Sequence, residues 1–171
     1  MKKILNSSQR GFTLIETFVA VLILVFAVIG PLGLLSRAIA DGNYAKNQVT
    51  AYYLAQEAVE LFINQRDRNL QNELINWTQP FDSCDAGSPC KVYFDSSLRV
   101  EPCSGENCRM YINNDRYTHR NEGSQSLFRR YLYLSGDDQK ADLSVVVEWL
   151  NKDQPVNFTL NTQVFNINYG I

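Results

Sequence analysis

Hydrophobic positions are concentrated near the N-terminus of the chain, where they form one unbroken run. From Phe18 to Leu35, 18 consecutive residues carry no charge. A run of this length reaches the lower limit for a transmembrane helix, and at about 1.5 Å per residue it spans roughly 27 Å, close to the thickness of a bilayer's hydrocarbon core. The pattern therefore predicts a membrane-spanning helix over residues 12–40.

The charges on either side of this run predict its orientation. Residues 1–10 carry Lys2, Lys3 and Arg10 and no acidic residue, and only Arg37 and Lys46 follow soon after the run. Because positive residues are enriched on the cytoplasmic side of membrane helices, we expect a cytoplasmic N-terminus. Everything after about residue 40 is then expected to lie outside the cytoplasm.

Beyond the apolar run the pattern changes to that of an amphipathic helix, over residues 41–76. Polar side chains recur there at spacings of three, four or seven and form one narrow stripe: Gln56, Glu57, Glu60, Asn64 and Asp67. Small and apolar residues occupy the remaining positions. We therefore expect this helix to be covered around most of its circumference by a sheet of the same chain.

Residues 77–171 have the pattern of a β-rich domain. Short apolar runs bounded by turn residues predict six strands, at residues 91–94, 98–101, 109–113, 127–135, 143–150 and 156–164. The last run alternates apolar and polar side chains, so it predicts a half-buried strand. Short turns between the last three strands indicate an antiparallel meander. The predicted fold class is α+β, with a long N-terminal helix packed on this sheet.

Composition narrows the classes of function. The 171 residues are 45% hydrophobic, with a formal net charge of −2 and a pI near 5.4, which disfavours a generic nucleic-acid binder. The single histidine, His119, excludes mechanisms that need a histidine pair, and its polar neighbours predict a solvated surface residue. The sequence contains no familiar catalytic, phosphate-binding or dinucleotide-binding motif. We expect a protein that is not an enzyme and carries no cofactor.

Four cysteines lie in the least regular stretch, residues 80–108. Cys84 and Cys90 bracket five residues, and Cys103 and Cys108 bracket four. Disulfides are the default outside the cytoplasm, and of the three possible connectivities proximity favours Cys84–Cys90 with Cys103–Cys108. We expect no metal, although the second pair also fits the spacing of zinc ligands and keeps that alternative open.

Two clusters of charged residues are weaker candidates for binding sites, one for single-stranded DNA and one for a cation. Between residues 109 and 131, arginines and aromatic residues occur together, a combination that can bind single-stranded DNA: Arg109, Tyr111, Arg116, Tyr117, Arg120, Phe128, Arg129, Arg130 and Tyr131. Asp115 and Glu122 dilute this patch, so DNA is not an expected partner. Three aspartates, Asp137, Asp138 and Asp142, lack the spacing of a calcium loop and predict a solvated turn.

Two conventional interpretations of the N-terminal run leave something unexplained. Ala38-Ile39-Ala40 would suit cleavage of a secretory signal, but the apolar run exceeds the usual length of about 7–15 residues for a signal core. A plain membrane anchor does not account for Glu16. An acidic residue within a span costs on the order of 3 kcal/mol near the bilayer centre and usually has a partner.

A third interpretation comes from resemblance to a known family. The segment Gly11-Phe12-Thr13-Leu14-Ile15-Glu16, directly after a short basic leader, resembles the class III signal of type IV pilins and type II secretion pseudopilins. The resemblance implies a leader over residues 1–11, cleavage between Gly11 and Phe12 by prepilin peptidase, and N-methylation of Phe12. It also implies a pilin-like ladle fold. The implied partners are the peptidase, an inner-membrane assembly platform, membrane lipid, and other pilin subunits that contact the N-terminal helix.

The same resemblance gives Glu16 a role in assembly. After cleavage the Phe12 amine is a cation at the edge of an apolar helix, and we expect Glu16, one helical turn away, to lie too far along the axis to cap its own terminus well. The amine of a neighbouring subunit, shifted along a filament, would reach this carboxylate, and the two charges would offset each other's desolvation. Loss of the leader also lowers Lys plus Arg from 16 to 13 against 18 Asp plus Glu, so the net charge falls from −2 to −5.

Two further features refine the interpretation. Gly30, Pro31 and Gly33 interrupt the apolar run, and because proline removes a backbone donor we expect a kink or a loosened turn there. Residues 53–60 and 64–67 resemble PilV-like and GspI-like minor subunits. The sequence is therefore interpreted as that of a minor type IV pilin.

The alternatives are a type II secretion pseudopilin, a membrane-anchored binding module that does not polymerise, and a domain secreted after Ala40.

Overall fold

The computed structural model describes residue 11 and residues 13–72 and 76–167. Its contacts divide the chain into two units, residues 1–44 and residues 45–171, which are described separately. One helix, α1 (Leu14–Gln71), contributes 58 residues and belongs to both units. Residues 1–10 of the predicted leader and Phe12 lie outside the described residues, so the structure does not describe both sides of the predicted cleavage bond.

In the first unit, α1 has the properties of the predicted membrane helix. Its most apolar 18-residue window has a mean hydropathy of 2.9, and none of that window is buried. Gly30, Pro31 and Gly33 lie within the continuous helix α1. The loosened turn expected at these residues therefore stays a prediction.

In the second unit, α1 buries one face made mainly of small and apolar residues: Ala51, Leu54, Ala55, Ala58, Phe62 and Leu70. The predicted polar stripe lies on the opposite side, where Glu57, Glu60 and Asn64 are exposed. The expectation that the helix is covered around most of its circumference is wrong at Tyr52 and Tyr53, which are 41% and 64% exposed. The helix ends at Gln71 instead of residue 76, and residues 73–75 lie outside the described part of the chain.

The rest of the second unit is an antiparallel sheet. The structure describes seven strands, β1 (Cys90–Phe94), β2 (Leu98–Pro102), β3 (Arg109–Asn113), β4 (Arg116–Thr118), β5 (Ser124–Gly136), β6 (Lys140–Asn151) and β7 (Gln154–Phe165). β5, β6 and β7 form the predicted meander, and the other edge of β5 pairs with β1 and β3. The α+β class is confirmed, and β4 is the strand that the sequence pattern did not predict.

The two faces of the sheet bury different residues, because side chains alternate along each strand. The face towards α1 carries the main core, which includes Phe128 and Leu132 of β5 and Leu143, Val145 and Val147 of β6. The opposite face carries a smaller cluster of Cys103, Cys108 and Tyr131. The helix therefore covers one side of the sheet, and a disulfide loop covers part of the other.

Two hairpins turn on two residues with positive φ. Asn114 and Asp115 (φ 49° and 61°) join β3 to β4, and Lys152 and Asp153 (φ 50° and 62°) join β6 to β7. Asn and Asp tolerate the left-handed region better than most residues, so short turns suit these positions. Because the second turn uses only two residues, β7 begins at Gln154 and is longer than predicted.

Candidate functional site

The N-terminus of α1 places Glu16 in the first helical turn. Thr13 precedes the helix and accepts hydrogen bonds from the Glu16 amide, 3.0 Å to its carbonyl oxygen and 3.4 Å to Oγ1. Thr-x-x-Glu is the sequence of a capping box, and an acidic side chain in the first turn also interacts favourably with the helix dipole. Phe12 lies outside the described residues, so the expectation that Glu16 lies too far along the axis to cap the mature N-terminus stays a prediction.

The surface next to Glu16 is apolar and open. Every described side chain from Thr13 to Ile39 is exposed within the chain itself, and Glu16 is the only acidic residue between Leu14 and Ala40. An exposed apolar patch of this size is not stable in water and needs a lipid or protein environment. A single carboxylate at the start of such a surface has a strong requirement for a partner.

A buried arginine joins the helix to the sheet. Arg130 of β5 is 1% exposed, and its guanidinium donates to the Leu54 carbonyl (2.8 Å), the Glu57 carboxylate (2.7 Å) and the Val92 carbonyl (2.6 Å). Burial lowers the pKa of Arg130, and the Glu57 carboxylate opposes that shift. Three acceptors from α1 and β1 thus converge on one cation and fix the helix against the sheet.

Next to this arginine the second unit has an open cleft of about 910 Å³. Its walls come from three elements: Tyr53 on α1, Tyr93 and Phe94 on β1, and Arg116 and Tyr117 on the β3–β4 hairpin. Leu54, Glu57 and Arg130 also line it. Aromatic rings, amides and guanidinium groups that face one space are typical of a binding site.

The arginines that the sequence grouped together fall into two sets. Arg109 and Arg129 both pair with Glu106, and the Arg109 Nε to Glu106 Oε2 distance is 2.7 Å. Arg120 pairs with Asp95 at 2.9 Å and with Glu122 at 2.8 Å. Arg130 is buried, as described above. Arg109 and Arg129 therefore meet at Glu106, whereas Arg116, Arg120 and Arg130 line the cleft.

His119 is buried, contrary to the prediction of a solvated surface residue. It is 3% exposed. The ring lies 6.4 Å from that of Tyr93. Burial and the nearby Arg130 charge hold the pKa of His119 well below its usual range, against a smaller opposing effect of the Arg109 backbone. The prediction of an exposed His119 was wrong because its polar sequence neighbours point to solvent, whereas the imidazole itself points inward.

The cysteines form two disulfides, Cys84–Cys90 and Cys103–Cys108, with Cα–Cα distances of 5.3 and 5.2 Å. This is the connectivity that proximity favoured. Across the described residues, no group of three or more His, Cys, Asp or Glu side chains is arranged to hold a metal ion. Asp137 instead accepts hydrogen bonds from the amides of Gln139 and Lys140, which lower the pKa of its carboxyl group.

Sequence reasoning missed the cleft and its buried arginine. A signal was present, since Phe128, Arg130 and Leu132 occupy alternate positions of one strand, and an arginine between two inward-facing apolar residues points to the core. The cleft has no such signal because its walls are far apart in the chain. No protein-family model, curated protein or solved structure matches this chain.

Proposed function

We propose that this chain is a minor type IV pilin, a structural subunit and not an enzyme. The observation that carries the proposal is the segment Gly11–Glu16 leading directly into the exposed apolar part of a 58-residue helix. The later part of the same helix packs in an α+β unit with two disulfides, as suits a domain outside the cytoplasm. An anchor alone would not require the acidic residue at the start of the apolar surface.

In this proposal the chain enters the membrane with its N-terminus in the cytoplasm. Prepilin peptidase then cuts between Gly11 and Phe12, and the Phe12 amine is methylated. The apolar part of α1 holds the subunit in the lipid until an inner-membrane assembly platform transfers it to a filament or its tip. Other subunits replace lipid around the helix, so the apolar surface stays covered throughout.

Glu16 would supply the specific contact of assembly. A methylated Phe12 amine on a neighbouring subunit carries one positive charge, and Glu16 carries the only negative charge of the apolar segment. Pairing offsets the desolvation of both groups in a low-dielectric environment. Thr13-x-x-Glu16 also has the sequence of a capping box, so an experiment has to distinguish a role of the Glu16 charge in assembly from a role in its own helix.

The first experiment determines the N-terminal residue of the mature protein by mass spectrometry of membrane and sheared-filament fractions. We expect methylated Phe12. An N-terminal Asp41 would show secretion after Ala40 and would refute the filament proposal. An intact Met1 in a host that has the peptidase would leave only a membrane anchor.

The second experiment separates assembly from helix capping. Glu16→Ala and Glu16→Gln should both be cleaved normally and both be missing from sheared filaments, because each lacks the charge. If capping alone matters, Glu16→Gln should assemble like the wild type, since an amide still accepts a hydrogen bond. Glu60→Gln, an exposed glutamate of the polar stripe, is the matched control and should assemble normally.

A minor pseudopilin of a type II secretion system is the nearest alternative within the same family. The resemblance of residues 53–60 and 64–67 to both PilV-like and GspI-like subunits keeps it open. Deletion of the gene should reduce surface pili if the chain is a pilin. Unchanged pili together with loss of protein secretion would identify a pseudopilin.

A further inference from the structure

The cleft beside Arg130 is a second candidate site, independent of the helix surface used in assembly. We propose that this cleft, called here the Arg116 cleft, binds an acidic oligosaccharide, that is, a chain of sugars that carry carboxylate groups. Its lining includes Tyr53, Tyr93, Phe94, Arg116, Tyr117 and Arg120. The cleft lies wholly within residues 45–167, so the inference holds whether or not the chain enters a filament.

The aromatic residues of the cleft point to a ligand with apolar faces. Phe94 and Tyr53 are 57% and 64% exposed, although side chains of this size usually bury most of their surface. Sugar rings present flat C–H faces that pack on aromatic rings, while their hydroxyl groups stay available for hydrogen bonds. The cleft volume of about 910 Å³ falls in the range of small-molecule sites and would hold several sugar rings.

The charge of the cleft points to an anionic ligand. Three arginines and two carboxylates line it, and the carboxylates are already engaged, Glu57 with Arg130 and Asp95 with Arg120. Arg116 has no ion pair within the described part of the chain. Glu122 also pairs with Arg120, so the charges around the cleft balance in number, and Arg116 is the lining arginine left without an ion pair. Residues 45–171 carry 12 Lys or Arg against 16 Asp or Glu, so an unpaired arginine is uncommon in this unit. An arginine without a partner is suited to bind a carboxylate through two parallel hydrogen bonds.

The polar groups of the cleft are held in place before any ligand binds. Asp95 and Glu122 fix the Arg120 guanidinium from two sides, at 2.9 and 2.8 Å. The Arg130 network fixes the floor of the cleft. Asn113 and Asn114 at the hairpin add amide donors and acceptors that can bind hydroxyl groups. Preorganised groups lose little entropy on binding, which favours a ligand as weakly held as a sugar.

A nucleic acid fits these observations less well. Affinity for a phosphate backbone grows with the number of cations that contact it, and the cleft offers a single unpaired arginine on an acidic domain. A sugar carboxylate can accept two parallel hydrogen bonds from Arg116, and sugar rings can pack their C–H faces on the exposed Tyr53 and Phe94 rings. The proposal therefore commits to the sugar and treats DNA as a competing outcome.

The test uses the full-length protein in detergent micelles and isothermal titration calorimetry. The probe is tetragalacturonate, with uncharged maltotetraose as the matched ligand. We expect tetragalacturonate to bind at least about tenfold more tightly, because only it can engage Arg116. Arg116→Gln and Phe94→Ala should each weaken its binding about tenfold or more. Arg68→Gln, an exposed arginine of α1 outside the cleft, should leave it unchanged.

Three results would overturn the proposal. Absence of tetragalacturonate binding at concentrations up to about 10 mM would show that the cleft is not a site for acidic sugars. Equal affinity for maltotetraose would remove the role of the charge. Tight binding of an oligothymidylate that depends on Arg116 and Phe94, with none of the sugar, would identify a single-stranded DNA site instead. Unchanged thermal unfolding of both cleft variants confirms that loss of binding does not reflect misfolding.

Discussion

Arg130 and Glu57, 73 residues apart in the chain, form an ion pair of 2.7 Å in which the arginine is buried and the glutamate is half exposed. The cation also donates to the carbonyl groups of Leu54 and Val92. The pair therefore joins α1, β1 and β5 at one point. This point forms the floor of the Arg116 cleft, so the stability of the fold and the shape of the cleft depend on the same contact.

Because Arg130 is buried and Glu57 is half exposed, removing only the glutamate charge should destabilise the fold more than removing both charges. Glu57→Gln should lower the free energy of unfolding by about 2 kcal/mol, because it leaves a buried guanidinium charge without its counterion, and solvent near Glu57 limits the loss. Adding Arg130→Met to that variant should restore part of the loss, since the uncompensated charge is removed. Urea unfolding followed by tryptophan fluorescence measures both.

Glu60→Gln provides the control for this series. Glu60 is the next exposed glutamate on the same stripe of α1, and its substitution should change stability by less than about 0.5 kcal/mol. A double variant less stable than Glu57→Gln alone would show that the carbonyl contacts of Arg130, and not its charge pair, dominate.

His119 predicts a loss of stability in mild acid. Its folded-state pKa lies well below the ordinary value, so the unfolded chain takes up a proton first as the pH falls. The stability that the neutral ring contributes should be complete above about pH 6.5 and decline progressively below it. Equilibrium unfolding at pH 7, 6 and 5 measures this decline.

His119→Phe should flatten the same profile between pH 7 and pH 5. His119 is the only histidine of the chain, so no other imidazole can account for the slope. The variant keeps an aromatic ring beside Tyr93 and removes the titrating group. A slope that persists in His119→Phe would assign the acid sensitivity to carboxyl groups.

Tyr131 predicts a loss of stability in alkali. Burial and the Glu148 carboxylate raise the pKa of Tyr131 from 10.0 to about 12. Because the folded-state pKa exceeds the unfolded value, the contribution is complete below pH 10 and is lost as the pH rises from 10 towards 12. Tyr131→Phe cannot ionise at this position and should unfold with a shallower pH dependence over that interval. An unchanged profile in the variant would refute the assignment.

The two disulfides should contribute unequally to stability. Each closes a loop of about six residues, which corresponds to about 2 kcal/mol through the entropy of the unfolded chain. Cys84 and Cys90 are both fully buried in the main core, and the Leu134 amide donates to the Cys84 carbonyl, whereas Cys103 is slightly exposed in the smaller cluster. Replacing Cys84 and Cys90 with alanine should therefore cost more than the same replacement at Cys103 and Cys108. Equal losses in urea unfolding would indicate that loop entropy alone decides.

The strands show how far periodicity alone can predict this fold. β7 follows the predicted alternation, and β6, predicted as a strand, buries Leu143, Val145 and Val147 while the residues between them are less buried. Hydrophobic periodicity predicts these strands because each of them buries one face, which places apolar side chains at alternate positions. β4 escaped prediction because it is three residues long, and its place in the sheet depends on the two-residue turn at Asn114 and Asp115.

In α1 the local sequence pattern does not predict which apolar side chains are buried. The sequence predicted the polar stripe, of which Glu57, Glu60 and Asn64 are exposed. Most of the remaining circumference was expected to be covered, but Tyr52 and its neighbour Tyr53 are exposed. A hydrophobic side chain is no evidence of burial by itself, since coverage depends on where the sheet ends. Tyr53 faces the Arg116 cleft instead of the core.

By itself the sequence determined the apolar segment, the order of the elements and a cysteine spacing that favours two short loops. These properties depend on neighbours within a few residues, and hydrophobic periodicity records them directly. Only the tertiary structure decided that Arg130 and His119 are buried and that Tyr53, Phe94 and Arg116 line one cleft. The solvation of a charge and the walls of a cleft depend on residues tens of positions away, which meet only when the helix packs on the sheet.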